Sequence, residues 1–229
     1  MKETIRALTL AAGADVCGFA GIERFQGAPR GFSPADLFPA CQTAIVFGIA
    51  LPKGLFAVSP RLVYQHFNEL ADVQIDAFAL RLARELEDRY GCKAVPVPCD
   101  SPYEYWDAER LEGRGLISMK HAAVCAGLGT LGKNTLLLSR AFGNLLNIGV
   151  VLTDLPLPSD PPAESVCIPG CTKCVDSCPA GAIANGRVQQ NLCRAKAYGQ
   201  KTARGYDTTE CNLCRTVCPL AFGQWKQPL

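Results

Sequence analysis

Eight of the thirteen cysteines lie after residue 166, and most of them follow a repeated spacing. Residues 167–179 read CIPGCTKCVDSCP and residues 211–219 read CNLCRTVCP, so the pattern C-x2-C-x3-C-P occurs twice. Cysteines at this spacing are typical ligands of 4Fe-4S clusters, and in two-cluster proteins the last cysteine of a run ligates the other cluster. The sequence therefore predicts two 4Fe-4S clusters and an electron-transfer function.

This interleaving assigns every cysteine of the repeat region to a cluster. One cluster is predicted to bind Cys167, Cys171, Cys174 and Cys218, and the other Cys178, Cys193, Cys211 and Cys214. Cys167 and Cys171 are separated by three residues, where the bacterial pattern has two, and Cys193 stands alone before a loop of seventeen residues. A four-thiolate zinc site is the alternative, but it would leave four cysteines without a metal. Disulfides are disfavoured by the odd count and by the absence of a signal peptide.

Other residues that could do chemistry lie in the middle of the chain. Residues 100–118 are irregular, polar and aromatic, and Tyr105 could line a substrate pocket there, with Asp100 as a candidate proton donor. His121 could face a cofactor pocket, whereas His66 falls in a predicted helix and is assigned a structural role. We predict Asp100, Tyr105 and His121 as catalytic residues. The alternative is that the loop aromatics only pack against the domain.

Helices and strands that could position these residues alternate without a regular short repeat. The predicted elements are helix 2–14, strand 16–22, strand 44–50, a helix of about thirty residues capped by Ser59-Pro60 and ending at Gly91, strand 94–97, helix 119–126, and strands 135–139 and 145–153. This order indicates one mixed α/β domain over residues 1–155. The proline-rich segment LPLPSDPPAES marks a boundary, after which residues 156–229 form the cysteine module.

Composition argues against several classes of partner. The formal net charge is +2, so nucleic acid is not an expected partner. No apolar run reaches the roughly 18 residues of a membrane span, and the N-terminus reads as a helix followed by a strand rather than as a secretory signal. We therefore expect a cytoplasmic protein without a membrane partner.

Basic residues outnumber the five acids in residues 160–229. They are Lys173, Arg187, Arg194, Lys196, Lys201, Arg204, Arg215 and Lys226. One interpretation is that they partly offset the negative charge of the clusters and raise their potentials. The other is a docking face for an acidic electron donor such as a ferredoxin or flavodoxin.

A glycine-rich loop, GLGTLGKN, precedes the last predicted strands. Its G-x-G-x-x-G pattern follows a predicted helix rather than a strand, and Asn134 stands where a P-loop has serine or threonine, so neither nucleotide motif fits. Such a loop still allows close backbone approach to a flat or phosphorylated cofactor. The predicted cofactor-binding residues are Gly127, Gly129, Gly132, Lys133 and Asn134. The alternative is a simple helix-to-strand turn.

The stretch from His121 to Asp160 and the cysteine module after it resemble epoxyqueuosine reductases, iron–sulfur and cobalamin-dependent relatives of the reductive dehalogenases. The motifs that carry the resemblance are Ala126-Gly127-Leu128-Gly129, Gly132-Lys133-Asn134, Leu152-Thr153-Asp154 and the paired cysteine runs with a lone cysteine between them. The resemblance implies a nitroreductase-like α/β (α+β) domain followed by a small bacterial-ferredoxin-like module with two 4Fe-4S clusters. It also implies a corrinoid (cobalamin) in the first domain, with a flavin or no organic cofactor as alternatives, and a corrinoid protein as a further candidate partner.

Two features of the sequence depart from that family. The family carries an Asp-Ser-Ala-Pro segment with its catalytic acid shortly before the Ala-Gly-Leu-Gly motif, whereas residues 111–124 here read LEGRGLISMKHAAV, with Glu112 as the only acid. The sequence also has no helical-repeat tail of the kind that would grip a transfer RNA. We therefore expect an iron–sulfur oxidoreductase with a substrate other than epoxyqueuosine. The alternative is a non-enzymatic electron carrier or a reductive activator of a partner protein.

Overall fold

A four-stranded antiparallel sheet organises the first two thirds of the chain. The computed structural model describes residues 1–58, 62–197, 200–201, 207–208 and 211–224. The α-helices are α1 (Lys2–Ala11), α2 (Pro34–Leu37), α3 (Leu62–Tyr90), α4 (Met119–Cys125), α5 (Lys173–Asp176), α6 (Gln190–Ala197) and α7 (Leu213–Thr216). The strands are β1 (Val16–Gly21), β2 (Thr43–Ala50), β3 (Ala94–Val97), β4 (Tyr105–Asp107), β5 (Glu112–Arg114), β6 (Thr130–Leu131), β7 (Leu137–Leu138), β8 (Leu146–Thr153), β9 (Ile183–Ala184), β10 (Arg187–Val188), β11 (Gln200–Lys201) and β12 (Asp207–Thr208).

The main sheet has the strand order β1-β2-β8-β3 and buries both of its faces. Successive side chains of a strand point to opposite faces. On β2, Ile45 and Phe47 therefore enter the core that contains α1 and α3, whereas Ala44 and Val46 enter the core that contains α4. The Phe47 ring lies 4.6 Å from the Phe78 ring of α3, a pairing that contributes about 1 kcal/mol beyond its area burial. The predicted mixed α/β class is confirmed, and the result is three layers: helices, sheet and helix.

The long helix α3 forms where its apolar periodicity predicts. That periodicity is carried by a stripe of residues three or four positions apart, and in the first half of the helix this stripe is not the buried face: Val63, Phe67, Leu70, Gln74, Phe78, Leu82 and Leu86. Val63 and Phe67 of that stripe are exposed, while Tyr64, Ala71 and Ile75 are buried. The reason is that Tyr64 and Ala71 pack against a small apolar patch at Leu51 and Leu55, which rotates the contact face by about one residue. The predicted Ser59-Pro60 cap lies outside the described residues.

The segment predicted as a linker is fastened along the outer edge of β1. The Asp160 carboxylate accepts hydrogen bonds from Arg6 at 2.8 Å and from the Phe19 amide at 3.0 Å, and it pairs with Lys2 at 2.7 Å. Ser159 Oγ accepts a hydrogen bond from the Gly21 amide at 2.8 Å. The linker thus satisfies backbone donors of an edge strand that would otherwise lack partners.

The cysteine region consists of two short helices that repeat one local structure. Helix α5 follows Thr172 and helix α7 follows Asn212. After each helix the chain turns into a Cys-Pro pair, at Cys178 and at Cys218. The two helices contact each other, with the β9–β10 hairpin and α6 between them in sequence. This duplication is the internal repeat expected from the cysteine spacing. Among the described residues, no helix is both long and apolar enough to cross a membrane.

Candidate functional site

Four of the predicted ligands line a common cavity. Cys167, Cys171, Cys174 and Cys218, here called the first cysteine set, surround it. Burial raises the pKa of the Cys174 and Cys218 thiols, and the charges of the other thiols in the set raise it further. Cys174 and Cys218 therefore resist ionisation unless a cation compensates, as a bound metal cluster would. The grouping is the one expected from interleaving, while cluster ligation by these residues stays a prediction.

The remaining four cysteines form a second group. Burial raises the pKa of Cys214 to about 11, and the charges of Cys193, Cys211 and Cys178 contribute to that shift. We call Cys178, Cys193, Cys211 and Cys214 the second cysteine set. The first set takes three cysteines from the first run and Cys218 from the second run. The second set takes Cys211 and Cys214 from the second run, the lone Cys193, and Cys178 from the first run, as the interleaved pattern predicts.

The donor arrangement bears on the choice between a cluster and zinc. Within the described ranges, no three histidine, cysteine, aspartate or glutamate side chains are placed to hold a single metal ion. Zinc requires sulfurs at about 2.3 Å from one ion, so its four thiolates stand close together. A cubane binds each thiolate at a different iron, which spreads the sulfurs over a wider shell. The choice of clusters over zinc stays a prediction from the cysteine spacing.

The loop predicted to bind an organic cofactor lies instead beside the first cysteine set. Lys133 Nζ donates hydrogen bonds to the carbonyl oxygens of Cys171 at 2.6 Å and Ile168 at 3.2 Å. Asn134, which is buried, donates to the carbonyl of Cys214 at 2.9 Å. The loop thus ties the sheet domain to the first cysteine run through Lys133 and to the second run through Asn134.

The glycines of this loop have steric reasons to be glycine. A Cβ on Gly127, whose φ is +73°, would lie 2.2 Å from the Pro161 carbonyl oxygen, and one on Gly129 would lie 2.5 Å from that of Leu138. These distances are shorter than any real Cβ contact, so the glycines permit close backbone packing. Gly132 lies at the first cysteine set. The helix-to-strand turn, the alternative interpretation of this motif, therefore accounts for Gly127 and Gly129.

A separate and larger cavity, of about 820 Å³, is lined by no cysteine of either set. Its lining comes from residues within 24–32 and 113–121, together with Cys125 and Gln190, and we call it the basic cavity. Its volume lies within the range of small-molecule sites. Arg24, Arg114, Lys120, His121 and Cys125 contribute its charged and titratable groups, and no acid is among the described residues that line it.

Lys120, His121 and Cys125 are the residues of α4 that line this cavity. His121 Nδ1 and Ser118 Oγ are hydrogen-bonded at 2.7 Å. Burial lowers the pKa of Lys120, as does the positive charge of Arg215, while the charges of Cys214 and Cys193 act in the opposite direction. Lys120 thus lines the basic cavity within electrostatic reach of the second cysteine set. His121 lines the cavity, and its catalytic role stays a prediction.

The β4–β5 hairpin forms one wall of the basic cavity and is held by α6. The Gln190 side chain accepts from the Gly113 amide at 2.9 Å and donates to the Gly113 carbonyl at 3.1 Å. Arg194 donates to the Leu111 carbonyl at 2.9 Å and lies over the Trp106 ring at 5.1 Å. Because Cys193 lies on the same helix, the wall of the cavity and the second cysteine set are joined through α6.

Comparison with known proteins gives relatives whose sequence similarity covers a little less than half of the chain. No protein-family model matches the sequence. The epoxyqueuosine reductase of Bacillus cereus is 36% identical over 114 residues, which are 46% of this chain and 30% of that enzyme. The epoxyqueuosine reductase of Bacillus subtilis is 32% identical over 119 residues, which are 48% of this chain and 31% of that enzyme. The chain is a homologue of epoxyqueuosine reductases. The matched region spans about a third of the length of these relatives.

Solved structures extend the likeness of fold to nearly the whole chain. An epoxyqueuosine reductase bound to a modified transfer RNA stem loop matches with a TM-score of 0.68 at 20% identity, over 99% of this chain and 66% of that one. A catabolic reductive dehalogenase matches with a TM-score of 0.57 at 18% identity, over 93% of this chain and 28% of that one. The structure of a reductive dehalogenase described as B12-dependent has a TM-score of 0.56.

Compared with the epoxyqueuosine reductases, this homologue differs where it lines the basic cavity. The Bacillus subtilis enzyme has been solved with its catalytic aspartate loop swung out of the active site. Residues 111–124 here lack the expected aspartate motif, and Glu112, the only acid in that stretch, does not line the cavity. The departure therefore falls on residues that line the cavity and includes Lys120 and His121.

The other two predicted catalytic residues lie apart from His121. Asp100 is exposed, accepts a hydrogen bond from the Tyr103 hydroxyl at 2.9 Å, and lines a different, acidic hollow of about 210 Å³ together with Asp72. Tyr105 is exposed and absent from the lining of the basic cavity; its hydroxyl lies 3.4 Å from Asp107. Both lie outside the basic cavity: Asp100 precedes the β4–β5 hairpin and lines the acidic hollow, and Tyr105 lies on β4 with its side chain exposed.

Three contributors to the cavity were missed by the sequence analysis. Arg24 and Phe25 come from a turn near the N-terminus, and Gln190 precedes the lone Cys193 by three residues. None of these positions has a motif around it. The one available signal was the helical spacing that puts Gln190 and Cys193 on adjoining turns of α6.

Proposed function

We propose that this chain is an iron–sulfur oxidoreductase that delivers low-potential electrons to a cofactor or substrate in the basic cavity, with a corrinoid as the first candidate. The observation that carries the proposal is the position of α6, which lines the cavity through Gln190, bonds the hairpin at Gly113 and carries Cys193 of the second cysteine set. A cavity beside a thiolate-rich centre is suited to receiving electrons from it. The homology to epoxyqueuosine reductases supports a redox role.

The two cysteine sets would each hold one 4Fe-4S cluster, which when bound supplies single electrons at low potential. The chain's own residues prepare these sites before any metal binds. Lys133 fixes the loop between Cys167 and Cys171 through two of its carbonyl oxygens. Asn134 fixes the second cysteine run by the same kind of bond. Carbonyl groups held by side chains from outside a ligand loop orient the ligands and tune the metal.

The fold likeness supports the corrinoid part of the proposal. One of the matched dehalogenase structures is described as B12-dependent, and the cavity is large and only partly apolar. His121 and Ser118, hydrogen-bonded to each other, can hold a proton at the rim of the cavity. Because the residues around the missing aspartate motif now line this cavity, we propose a substrate other than epoxyqueuosine.

Anaerobic reconstitution tests the proposal in two steps. The loaded chain should contain about eight irons and eight acid-labile sulfides, since two cubanes require them. Reduced protein should then change the absorption spectrum of added cob(II)alamin and retain the corrinoid on gel filtration. The Cys214→Ser variant should lose about half of the iron, whereas Cys92→Ser, outside both cysteine sets, should lose none. A loaded chain that leaves cob(II)alamin unchanged and unbound would refute the corrinoid part.

One observation favours a non-enzymatic electron carrier or reductive activator as the second candidate. None of the described residues that line the basic cavity is a carboxylic acid, so this lining lacks the catalytic carboxylic acid that the resemblance led us to expect. In that case the electrons would pass to a partner, such as a corrinoid protein, after delivery by an acidic ferredoxin or flavodoxin. Isolation of a stable complex with such a partner, and no corrinoid bound to the chain itself, would support this candidate.

A further inference from the structure

The charges that line the basic cavity are all of one sign. Among the described residues of the lining, Arg24, Arg114 and Lys120 are cations, His121 and the Cys125 thiol are the other titratable groups, and none is acidic. The six ion pairs recorded among the described residues include none of these four. A cavity in which several cations meet without a carboxylate has a positive potential, which attracts anions.

Lys120 is the cation with the strongest need for a counter-charge. It is half-buried, its pKa is lowered first by burial, and the cation Arg215 lies near it. A buried charge costs free energy unless it is paired or hydrogen-bonded. No ion pair with a described residue is recorded for its ammonium group, and the described residues that line the cavity include no carboxylate.

Arg24 offers donors on another part of the same lining. One guanidinium nitrogen donates to the Cys125 carbonyl at 3.0 Å, and this bond anchors the side chain. The structure records no carboxylate for the other donors of that guanidinium within the described residues. A guanidinium anchored on one edge is suited to bind a carboxylate or phosphate on the other.

Apolar side chains complete the lining. Phe25, Phe32 and Ile117 face the cavity alongside the cations. Aromatic and aliphatic walls with a few polar groups are the usual composition of a site for an organic molecule rather than for an inorganic ion. Both kinds of lining therefore belong to one site.

We propose that the basic cavity selects an organic anion, whose carboxylate or phosphate binds to Lys120 and Arg24 and whose body packs against Phe25 and Ile117. The proposal deepens the proposed function, because it rests on the same cavity being the redox site and adds the charge class of its occupant. Two sources share this chemistry: a small carboxylate substrate, or the phosphate of a cofactor such as the nucleotide tail of cobalamin.

Matched pairs of probes test the proposal on the cluster-loaded protein. Benzoate and benzamide have the same shape and differ in charge, and cobalamin and cobinamide differ by the phosphate-bearing nucleotide tail. Calorimetry should show benzoate binding at least tenfold more tightly than benzamide if a carboxylate is selected. It should show cobalamin binding at least tenfold more tightly than cobinamide if the phosphate is selected. Either preference should weaken as salt is raised.

Two variants and one control locate the effect. Lys120→Met and Arg24→Gln should each weaken the preferred anion about tenfold, the loss expected for one charge-assisted hydrogen bond. Arg84→Gln, on the exposed face of α3, should change the affinity less than twofold. Two variants are used because one of them could affect folding, which the iron content and circular dichroism of each preparation report.

The outcomes separate this inference from the proposed function. If neither pair shows a charge preference, or if both variants bind like the parent, the inference is overturned even when the chain holds eight irons and reduces cob(II)alamin. If anions are selected but no iron or sulfide is bound, the proposed function fails and the anion site stands. If Lys120→Met changes only the cluster potential, then Lys120 merely offsets the charge of the second cysteine set and the inference is overturned for that residue.

Discussion

Replacing Lys133 with methionine removes the charged donor that joins the sheet domain to the first cysteine loop while keeping a side chain of similar length. Its ammonium group bonds the carbonyl of Cys171 at 2.6 Å and that of Ile168 at 3.2 Å. A hydrogen bond to a charged group contributes about 1.5–3 kcal/mol, and the bond to the exposed Ile168 contributes least. We therefore expect a net loss of about 2 kcal/mol in the loaded state, which is roughly a 30-fold change in an equilibrium constant.

The assay is the release of iron from reconstituted protein to a chelator under anaerobic conditions. Lys133→Met should release about half of its iron, that of the first cysteine set, roughly 30-fold more readily than the parent. Its remaining half should behave as in the parent. The potential of the affected cluster should also fall, because a positive charge beside it has been removed.

Two further variants decide whether the contacts of Lys133 matter. Lys173 lines the same cavity but is exposed, and no side-chain hydrogen bond is recorded for it among the described residues, so Lys173→Met should retain iron like the parent. Lys133→Arg should retain iron nearly as well as the parent, since arginine can donate to the same two carbonyls. If Lys133→Met and Lys173→Met release iron equally, the argument from these hydrogen bonds is refuted.

Asp160→Asn should destabilise the fold by about 2–3 kcal/mol at pH 7, since it leaves Lys2 and Arg6 without their partly buried counter-charge. Burial opposes ionisation of Asp160, but its bonds from Lys2 and Arg6 outweigh burial and hold its pKa below the usual value. Its contribution is therefore present above about pH 4 and lost as the pH falls through the lowered pKa, so parent and variant should converge in acid denaturation. Gln190→Leu should loosen the hairpin by about 1–3 kcal/mol through loss of both bonds to Gly113, seen as faster amide exchange in residues 105–114.

Each of these two variants has a result that would count against it. Equal urea midpoints for Asp160→Asn and parent at pH 7 would mean that the fastening of the linker to β1 contributes no stability. For the hairpin, Gln189→Leu is the matched control, because Gln189 is exposed and adjacent to Gln190. In the described part of the chain, only backbone hydrogen bonds are recorded for Gln189. Equal exchange in both glutamine variants would rule out the role assigned to Gln190.

The parts of the site that were predictable from sequence are those fixed by local spacing. Cysteines with two or three residues between them must lie close together, so the grouping around Cys174 and around Cys214 could be worked out from the repeat. The same holds for buried runs such as β2 and β8, where an apolar stretch between turns predicts a strand covered on both faces. The mixed α/β fold followed from the order of these elements.

The basic cavity could not be predicted, because it depends on contacts between distant segments. Residue 24, residue 113 and residue 190 meet only when α6 docks on the β4–β5 hairpin through Gln190. No periodicity reports such docking. The sequence analysis grouped Asp100, Tyr105 and His121 as catalytic candidates, but it could not place them relative to one another for the same reason. The direction in which a hairpin presents its residues is set by what it packs against.

The segments that carry the likeness to epoxyqueuosine reductases and those that depart from it lie at different places in the structure. Lys133 and Asn134, which belong to the shared motif, bind the carbonyls of the cysteine runs. The segment 111–124, which lacks the family's acid motif, lines the basic cavity with Lys120 and His121. Under the proposed function, the shared residues support the electron-supplying centre and the departing residues surround the acceptor. We therefore expect the source of electrons to be kept and the molecule that receives them to differ. The charge of that molecule is therefore the property to measure first.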